Sequence, residues 1–265
     1  MDLFKKKNEA AELKTYIFPD SKIYFEYEMS VAEKILMFIL GFAIGLVVGF
    51  VFYDLWFVSV ILGIIVGVAL IPIRRKQRID KQINTLKKQF KALLESISTS
   101  IGAGRNMVDS FMNALTDLRE QFSPEAYIVK ETENIISGLN NNINIEDLLR
   151  DMADRSGIDD IQTFADVFDT CYRKGGDMKE VIGSTYKIIN DKMEIEMEIL
   201  TMITSAKSEL SMMCCMPVVF VFVLNGMGSN ITGRGTMSGY IATTVALAIF
   251  VGAYFIGRKI MAVKM

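Results

Sequence analysis

Two uncharged runs separated by a single residue set the first constraint on this chain. Ile35 to Tyr53 reads ILMFILGFAIGLVVGFVFY and Leu55 to Ile73 reads LWFVSVILGIIVGVALIPI, with Asp54 between them. At ~1.5 Å rise per residue, each run wound as a helix crosses a hydrocarbon core of ~30 Å. Backbone polar groups in lipid must be satisfied within the segment, which a helix does. The expectation is a tight transmembrane hairpin with Tyr53, Asp54 and Trp56 at the far interface, where aromatic side chains favour the headgroup level. A second pair of apolar runs stands near the end of the chain. Leu210 to Leu224 reads LSMMCCMPVVFVFVL and Tyr240 to Ile256 reads YIATTVALAIFVGAYFI, joined by a Gly-, Ser- and Thr-rich link whose lone charge is Arg234. Pro217 predicts a kink in the third span, with a freed carbonyl that needs a partner inside the bundle.

The distribution of lysine and arginine orients these spans. Arg74, Arg75, Lys76 and Arg78 follow the second run, Arg258, Lys259 and Lys264 follow the fourth, and Lys5, Lys6, Lys7, Lys14, Lys22 and Lys34 precede the first. By the positive-inside rule the N-terminus, the central region and the C-terminus all face the cytoplasm. Met1 to Ser30 does not read as a secretory signal, because Glu9, Glu12, Asp20, Glu26 and Glu28 interrupt it and its apolar run comes too late. The expected divisions are an N-terminal cytoplasmic segment (1–30), a first transmembrane hairpin (31–73), a cytoplasmic helical domain (74–209), a second hairpin (210–257) and a cytoplasmic tail (258–265). Such a chain belongs in a cell membrane, of the inner or cytoplasmic kind. Its 51% hydrophobic and 23% charged residues suit this mixture of spans and water-soluble body.

Small residues recur within the spans. Gly41, Gly45 and Gly49 fall on one face of the first helix, and Gly63 and Gly67 on one face of the second. Faces of this kind let backbones approach closely. They predict helix packing, either of the hairpin against itself or against another protein's transmembrane helix.

The central region reads as helical throughout, with Pro124 its one proline and no sustained alternation of strand type. Six helices are expected. The first runs from Arg74 to Ile101 with Leu86, Phe90, Leu93, Leu94 and Ile97 at helical spacing, and Gly102 and Gly104 stop it. The second covers Met107 to Phe122. Pro124 opens the third, which runs to Leu139. The fourth spans Ile145 to Arg155, and the fifth Asp159 to Lys174. Asp177 and Glu180 resemble a capping box at the start of the sixth, which is expected to continue into the third span. An apolar pair four residues apart opens three of these helices: Met107 and Phe111, Ile145 and Leu149, Met178 and Ile182. The repeat suggests a bundle of helical hairpins. The fold class is therefore all-α, with two transmembrane helices before and two after a cytoplasmic six-helix bundle.

Charge is segregated along this region. Arg74, Arg75, Lys76 and Arg78 form a basic neck suited to anionic lipid headgroups. Acidic pairs such as Glu146-Asp147, Asp159-Asp160 and Asp166-Asp169 dominate farther along and would suit a basic protein partner, although most single acids are simply solvated. Net charge is −2, and no basic stripe points to nucleic acid.

A search for chemistry excludes more than it finds. The chain has no histidine, so imidazole catalysis and imidazole metal ligation are ruled out. There is no Walker-type phosphate loop. Cys171, Cys214 and Cys215 have no spacing for a disulfide framework or a metal, and Asp166 with Asp169 lack an oriented nucleophile. No catalytic, cofactor or metal site is expected. The polar helix turns nominate Arg105, Arg173, Lys174, Asp177 and Glu180 as partner-binding residues at the end of the bundle.

Taken in order, Leu93-Leu94-Glu95-Ser96-Ile97-Ser98-Thr99-Ser100-Ile101-Gly102-Ala103-Gly104, the Leu148-Leu149 and Met152-Ala153-Arg155 matches, the Gly175-Gly176-Asp177-Met178-Lys179-Glu180-Val181 turn, and Ala206-Lys207-Ser208-Glu209-Leu210-Ser211 ahead of Pro217 form a recognisable pattern. It resembles the type II secretion F-domain family, in particular the TadB/TadC-like platform proteins of Tad/Flp pili. Lys207-Ser208-Glu209 stands where family members usually carry a Gly-Arg pair. The resemblance implies an inner-membrane platform with no catalytic residues. It implies as partners a hexameric cytoplasmic secretion ATPase, a second platform protein of the same family, pilin transmembrane helices and membrane lipids, in a homo- or hetero-oligomer. The alternative is a membrane-anchored sensor or adaptor whose helical domain binds a signalling protein.

Overall fold

A computed structural model describes residues 16–18, 21–27, 29–53 and 56–226, together with 241, 244–246, 248–249, 252–253 and 256–257. Among these residues the chain is all-helical. Seven helices follow in order: α1 (Val31–Tyr53), α2 (Trp56–Gly102), α3 (Met107–Gln121), α4 (Tyr127–Asn140), α5 (Ile145–Ser156), α6 (Asp159–Lys174) and α7 (Met178–Gly226). Two compact units are distinguished, one comprising residues up to 27 with 78–192, the other residues 28–77 with 193–265.

In the second unit, α1 and the apolar part of α2 are long and apolar enough to span a membrane, and only 22% and 17% of their apolar windows are buried. A core helix of a soluble protein would be mostly covered. Here Ile35, Leu36, Ile39, Leu40, Ile44 and Val47 are exposed instead, as lipid-facing side chains are. The two helices meet along their glycines. A Cβ on Gly41 would stand 2.7 Å from the Cα of Gly67, one on Gly45 would stand 2.6 Å from the Cα of Gly63, and one on Gly49 would stand 2.5 Å from the Cα of Ser59. Each glycine therefore faces backbone, and only a residue without a side chain fits. At the far end, the Tyr53 hydroxyl donates to Thr244 Oγ1 at 3.0 Å; at the opposite end of the later runs, Gly257 lies against Leu210. Helix α7 continues through Pro217 to Gly226, and the described residues of the fourth apolar run (241, 244–246, 248–249, 252–253 and 256) are helical.

In the first unit, α3 packs on α4, α4 on α5 and α5 on α6. The apolar stripe of α2 closes the core: Leu86, Phe90, Leu94 and Ile97 are fully buried with Phe111, Leu118, Ile128, Met152 and Phe168. Phe90 and Phe164 meet edge to face at 5.5 Å between centroids. Helix α7 runs antiparallel to α2. Gly183 lies by Ser98, Lys179 by Gly102, and Asp160 at the start of α6 joins the pair by binding Lys87 at 3.0 Å and Lys192 at 2.6 Å.

One helix start differs from the sequence expectation. Pro124 does not open α4. It sits in a turn closed by a bond from Ala126 N to Ser123 O at 2.9 Å, and the helix begins at Tyr127. The fixed φ of proline suits the second position of such a turn as well as the first turn of a helix.

The segment before α1 carries no periodicity, yet residues 16–18 and 21–27 form a strap on this unit. Tyr24 and Phe25 are buried, Tyr24 N donates to Arg155 O at 3.0 Å, and Ile17 N donates to Asp151 Oδ1 at 2.8 Å.

Candidate docking site

The turn residues nominated by the sequence come from two places in the chain, and the antiparallel pairing of α2 with α7 puts both at one end of the bundle. The first turn follows α2. Gly104 adopts φ +82°, a left-handed conformation favoured by glycine, and Gly104 N and Arg105 N bond back to Ile101 O and Ser100 O. Asn106 then caps α3 by accepting from Asp109 N at 2.8 Å. The second turn follows α6. Gly175, at φ +68°, is its left-handed cap, and Asp177 caps α7 by accepting from Lys179 N at 2.9 Å and Glu180 N at 3.3 Å. Arg105, Arg173, Lys174, Asp177 and Glu180 are all exposed.

These charges are not all loose. Arg173 Nε binds Asp169 at 2.6 Å, and Asp169 also binds Arg150 at 3.3 Å, with Asp166 at 3.7 Å from the same guanidinium. Asp160, Asp166 and Asp169 are therefore neutralised by arginines and lysines of the same unit, which weakens the case for them as a dock for a basic partner. Arg173 remains 64% exposed beside Asp169.

Of the neck, Arg75 and Lys76 are exposed, Arg74 is half-buried with Nη1 donating to Gln77 Oε1 at 3.4 Å, and Arg78 lines a cavity of the helical body. The glycines face one another within the hairpin, as described above. No cluster of three or more metal-ligating side chains occurs among the described residues.

The residues that sequence reasoning missed lie beneath this scaffold. Arg155 is 1% exposed, yet it is fully engaged: Nη1 and Nη2 donate to the two oxygens of Glu131 at 2.7 Å each, and Nε donates to Asp151 at 2.8 Å. Burial acts to lower its pKa, but the hydrogen bonds and charges of Glu131 and Asp151 outweigh it and hold the guanidinium above its usual range. The Tyr24 hydroxyl donates to Glu131 at 2.8 Å, and burial, reinforced by that carboxylate, drives its pKa far above that of a free tyrosine. Around Asp160 the balance is of the same kind. Burial acts to raise its pKa, and hydrogen bonds from Lys192 and Lys87 bring it below the ordinary value. Burial and the neighbouring Glu95 carboxylate push Tyr186 upward. The only local sign of this network was the Met152-Ala153-Arg155 run.

The profile described as "Type II secretion system (T2SS), protein F" matches residues 88–226, more than half of the chain. The chain belongs to that family. The match begins within α2 and ends at the last residue of α7, so it takes in the whole α3–α6 stack and both charged turns. No curated protein and no solved structure matches the chain. T2SS protein F members are structural membrane components of secretion and pilus machinery, and the two span-length helices fit that setting.

Proposed function

We propose that this F-family protein is the inner-membrane platform of a Tad/Flp-type pilus or a related secretion machine, and that it passes the work of a cytoplasmic secretion ATPase to pilin assembly. The observation that carries the reading is the family match over α3–α6, together with two charged turns gathered at one end of a bundle that has no nucleotide loop of its own. A lever needs a rigid body and an accessible tip. The buried core and the Arg155 network supply the first. Arg105, Arg173, Lys174, Asp177 and Glu180 supply the second, reached at ~36 Å along α2 from Arg78 at 1.5 Å per residue. Fuel is then consumed by the partner, and this chain moves with it. Two hairpins, four spans in all, anchor the platform beside a second family member and the pilin helices.

The test is retention of the purified hexameric ATPase by the full chain in micelles. Wild type is expected to retain it, and Arg173→Glu with Lys174→Glu to weaken retention by about tenfold, the scale of one or two lost charge contacts. A wild-type protein that retains no ATPase, or that hydrolyses ATP alone, overturns the proposal.

A further inference from the structure

In the second unit, α7 leaves one face uncovered ahead of its apolar run. Ile195, Ile199, Met202 and Ala206 follow one another at steps of four, three and four residues, the ~3.5-residue period of a coiled-coil seam. Ile195 is 57% and Met202 66% exposed, as open as Met213 within the apolar run at 65%. Lipid accounts for Met213 but not for the other two, because Glu194, Glu198, Lys207 and Glu209 keep this stretch of helix out of hydrocarbon. The same period continues into the run through Met213, Met216 and Phe220, all exposed. The opposite face is no such seam. Met197 and Leu200 are exposed there, but Thr204 and Lys207 interrupt them at the same spacing.

Charge decides what can cover the seam. Glu198 flanks it, and Glu209 occupies the seam position between Ala206 and Met213, at the edge of the apolar run. Both are exposed, and neither has an ion pair among the described residues. A second copy of this chain fits badly. Copies in one membrane share an orientation, so a two-fold pair sets the α7 helices parallel and each seam position against itself. Glu209 would then meet Glu209, and like charges so placed are strongly disfavoured. A helix with lysine or arginine at its cytoplasmic edge, where such residues gather, meets Glu198 and Glu209 with opposite charge instead. We propose that the seam of α7 from Ile195 to Phe220 binds a membrane-spanning helix of a different protein, one with an apolar heptad seam and a lysine or arginine opposite Glu198 and Glu209. The inference takes its orientation from the platform reading and names the surface that holds a second chain in the membrane.

The test is disulfide crosslinking between the full chain and a synthetic helix in uncharged maltoside micelles, which impose no orientation. Cys171, Cys214 and Cys215 are replaced by serine, and a single cysteine is placed on the seam by Met202→Cys or off it by Met197→Cys. Both sites are exposed, so neither change reaches the core. The probe peptide has a leucine seam, a water-soluble stretch ahead of its span, a cysteine level with position 202 and lysines level with positions 198 and 209. A second peptide has glutamates in place of those lysines. The lysine peptide is expected to crosslink to Met202→Cys, with yield about tenfold lower for Met197→Cys and about tenfold lower for the glutamate peptide, the scale of one like-charge contact. Glu198→Lys with Glu209→Lys in the chain is expected to reverse the preference between the peptides. No adduct with Met202→Cys, equal yield at the two sites, or equal yield of the two peptides overturns the inference. So does a chain-to-chain product of Met202→Cys in place of the peptide adduct, because a second copy then fills the seam. Retention of the ATPase can fail while the adduct forms, and the reverse, so the two proposals fall separately.

Discussion

An arginine that is 1% exposed keeps its charge only while carboxylates reach every side of it, and in this protein they come from two helices. Removing one partner strands the other charge, which costs about 3–5 kcal/mol in comparable sites, whereas replacing the whole set by apolar groups is often neutral. Glu131→Gln is therefore expected to destabilise the body by about 3–5 kcal/mol in guanidinium denaturation followed by circular dichroism. Arg155 also ties the strap, through Tyr24 N and the Lys22 carbonyl, so the same variant should expose the chain at Lys22 to trypsin sooner than wild type. Tyr24 supplies a pH signature. Its folded pKa is raised, so its contribution is complete below the ~10 of an unfolded tyrosine and is lost as pH rises toward the folded value. The stability advantage of wild type over Tyr24→Phe should fall by about 1.4 kcal/mol between pH 9 and pH 11. An advantage that stays level across that range would mean Tyr24 ionises normally. Beyond the Met152-Ala153-Arg155 run, none of this was legible in the sequence. Glu131 and Arg155 are 24 residues apart, Tyr24 and Glu131 are 107 apart, and neither spacing belongs to any local period.

At the scale of the helices, sequence and structure agree most where the signal is local chemistry. Gly157 and Gly175 end α5 and α6 in left-handed conformations, Asp177 caps α7, and the apolar pairs beginning at Met107, Ile145 and Met178 open α3, α5 and α7. The start of α4 was misplaced because proline serves two local geometries equally well. Pairings between helices needed the structure. The glycines announced close packing but not their partner, and the partner is the hairpin itself. A side chain on Gly45 meets the backbone of Gly63, which has no rotamer to yield. Gly45→Ala is expected to cost about 1–3 kcal/mol in denaturation by mixed micelles, and Gly45→Leu more. If both variants unfold like wild type, the helices do not meet there. Between α2, α6 and α7 the joint is Asp160. Its folded pKa is lowered, so its contribution is present above the ~3.9 of an unfolded aspartate and vanishes as pH falls through the folded value. Asp160→Asn should lose about 1–3 kcal/mol at pH 7, the scale of hydrogen bonds to charged groups, and the difference from wild type should close as pH falls through the lowered folded value.

The molecule as a whole acts as a lever only if its helical body and the ATPase share a compartment, and the placement of positive charge carries that inference. Arg74, Arg75, Lys76 and Arg78 follow one hairpin and Arg258, Lys259 and Lys264 follow the other, against a single Arg234 in the link between the last two runs. Lysine and arginine near span ends resist translocation, while glutamate and aspartate matter little, so the acidic stretches of the body do not offset the bias. In a variant with Cys171, Cys214 and Cys215 replaced by serine, a single cysteine at exposed Glu120 tests the body and one at Asn230 tests the link. In cells stripped of their outer envelope, a membrane-impermeant maleimide is expected to label Asn230→Cys at once and Glu120→Cys only after the membrane is opened. The reverse pattern would place the docking turns beyond the reach of any ATP-driven partner, and both the family role and the lever would fail together. Labelling of both sites in sealed cells would instead put body and link on the same side, so that the third apolar run does not span. The outcome thus separates an error of orientation from an error in the number of spans.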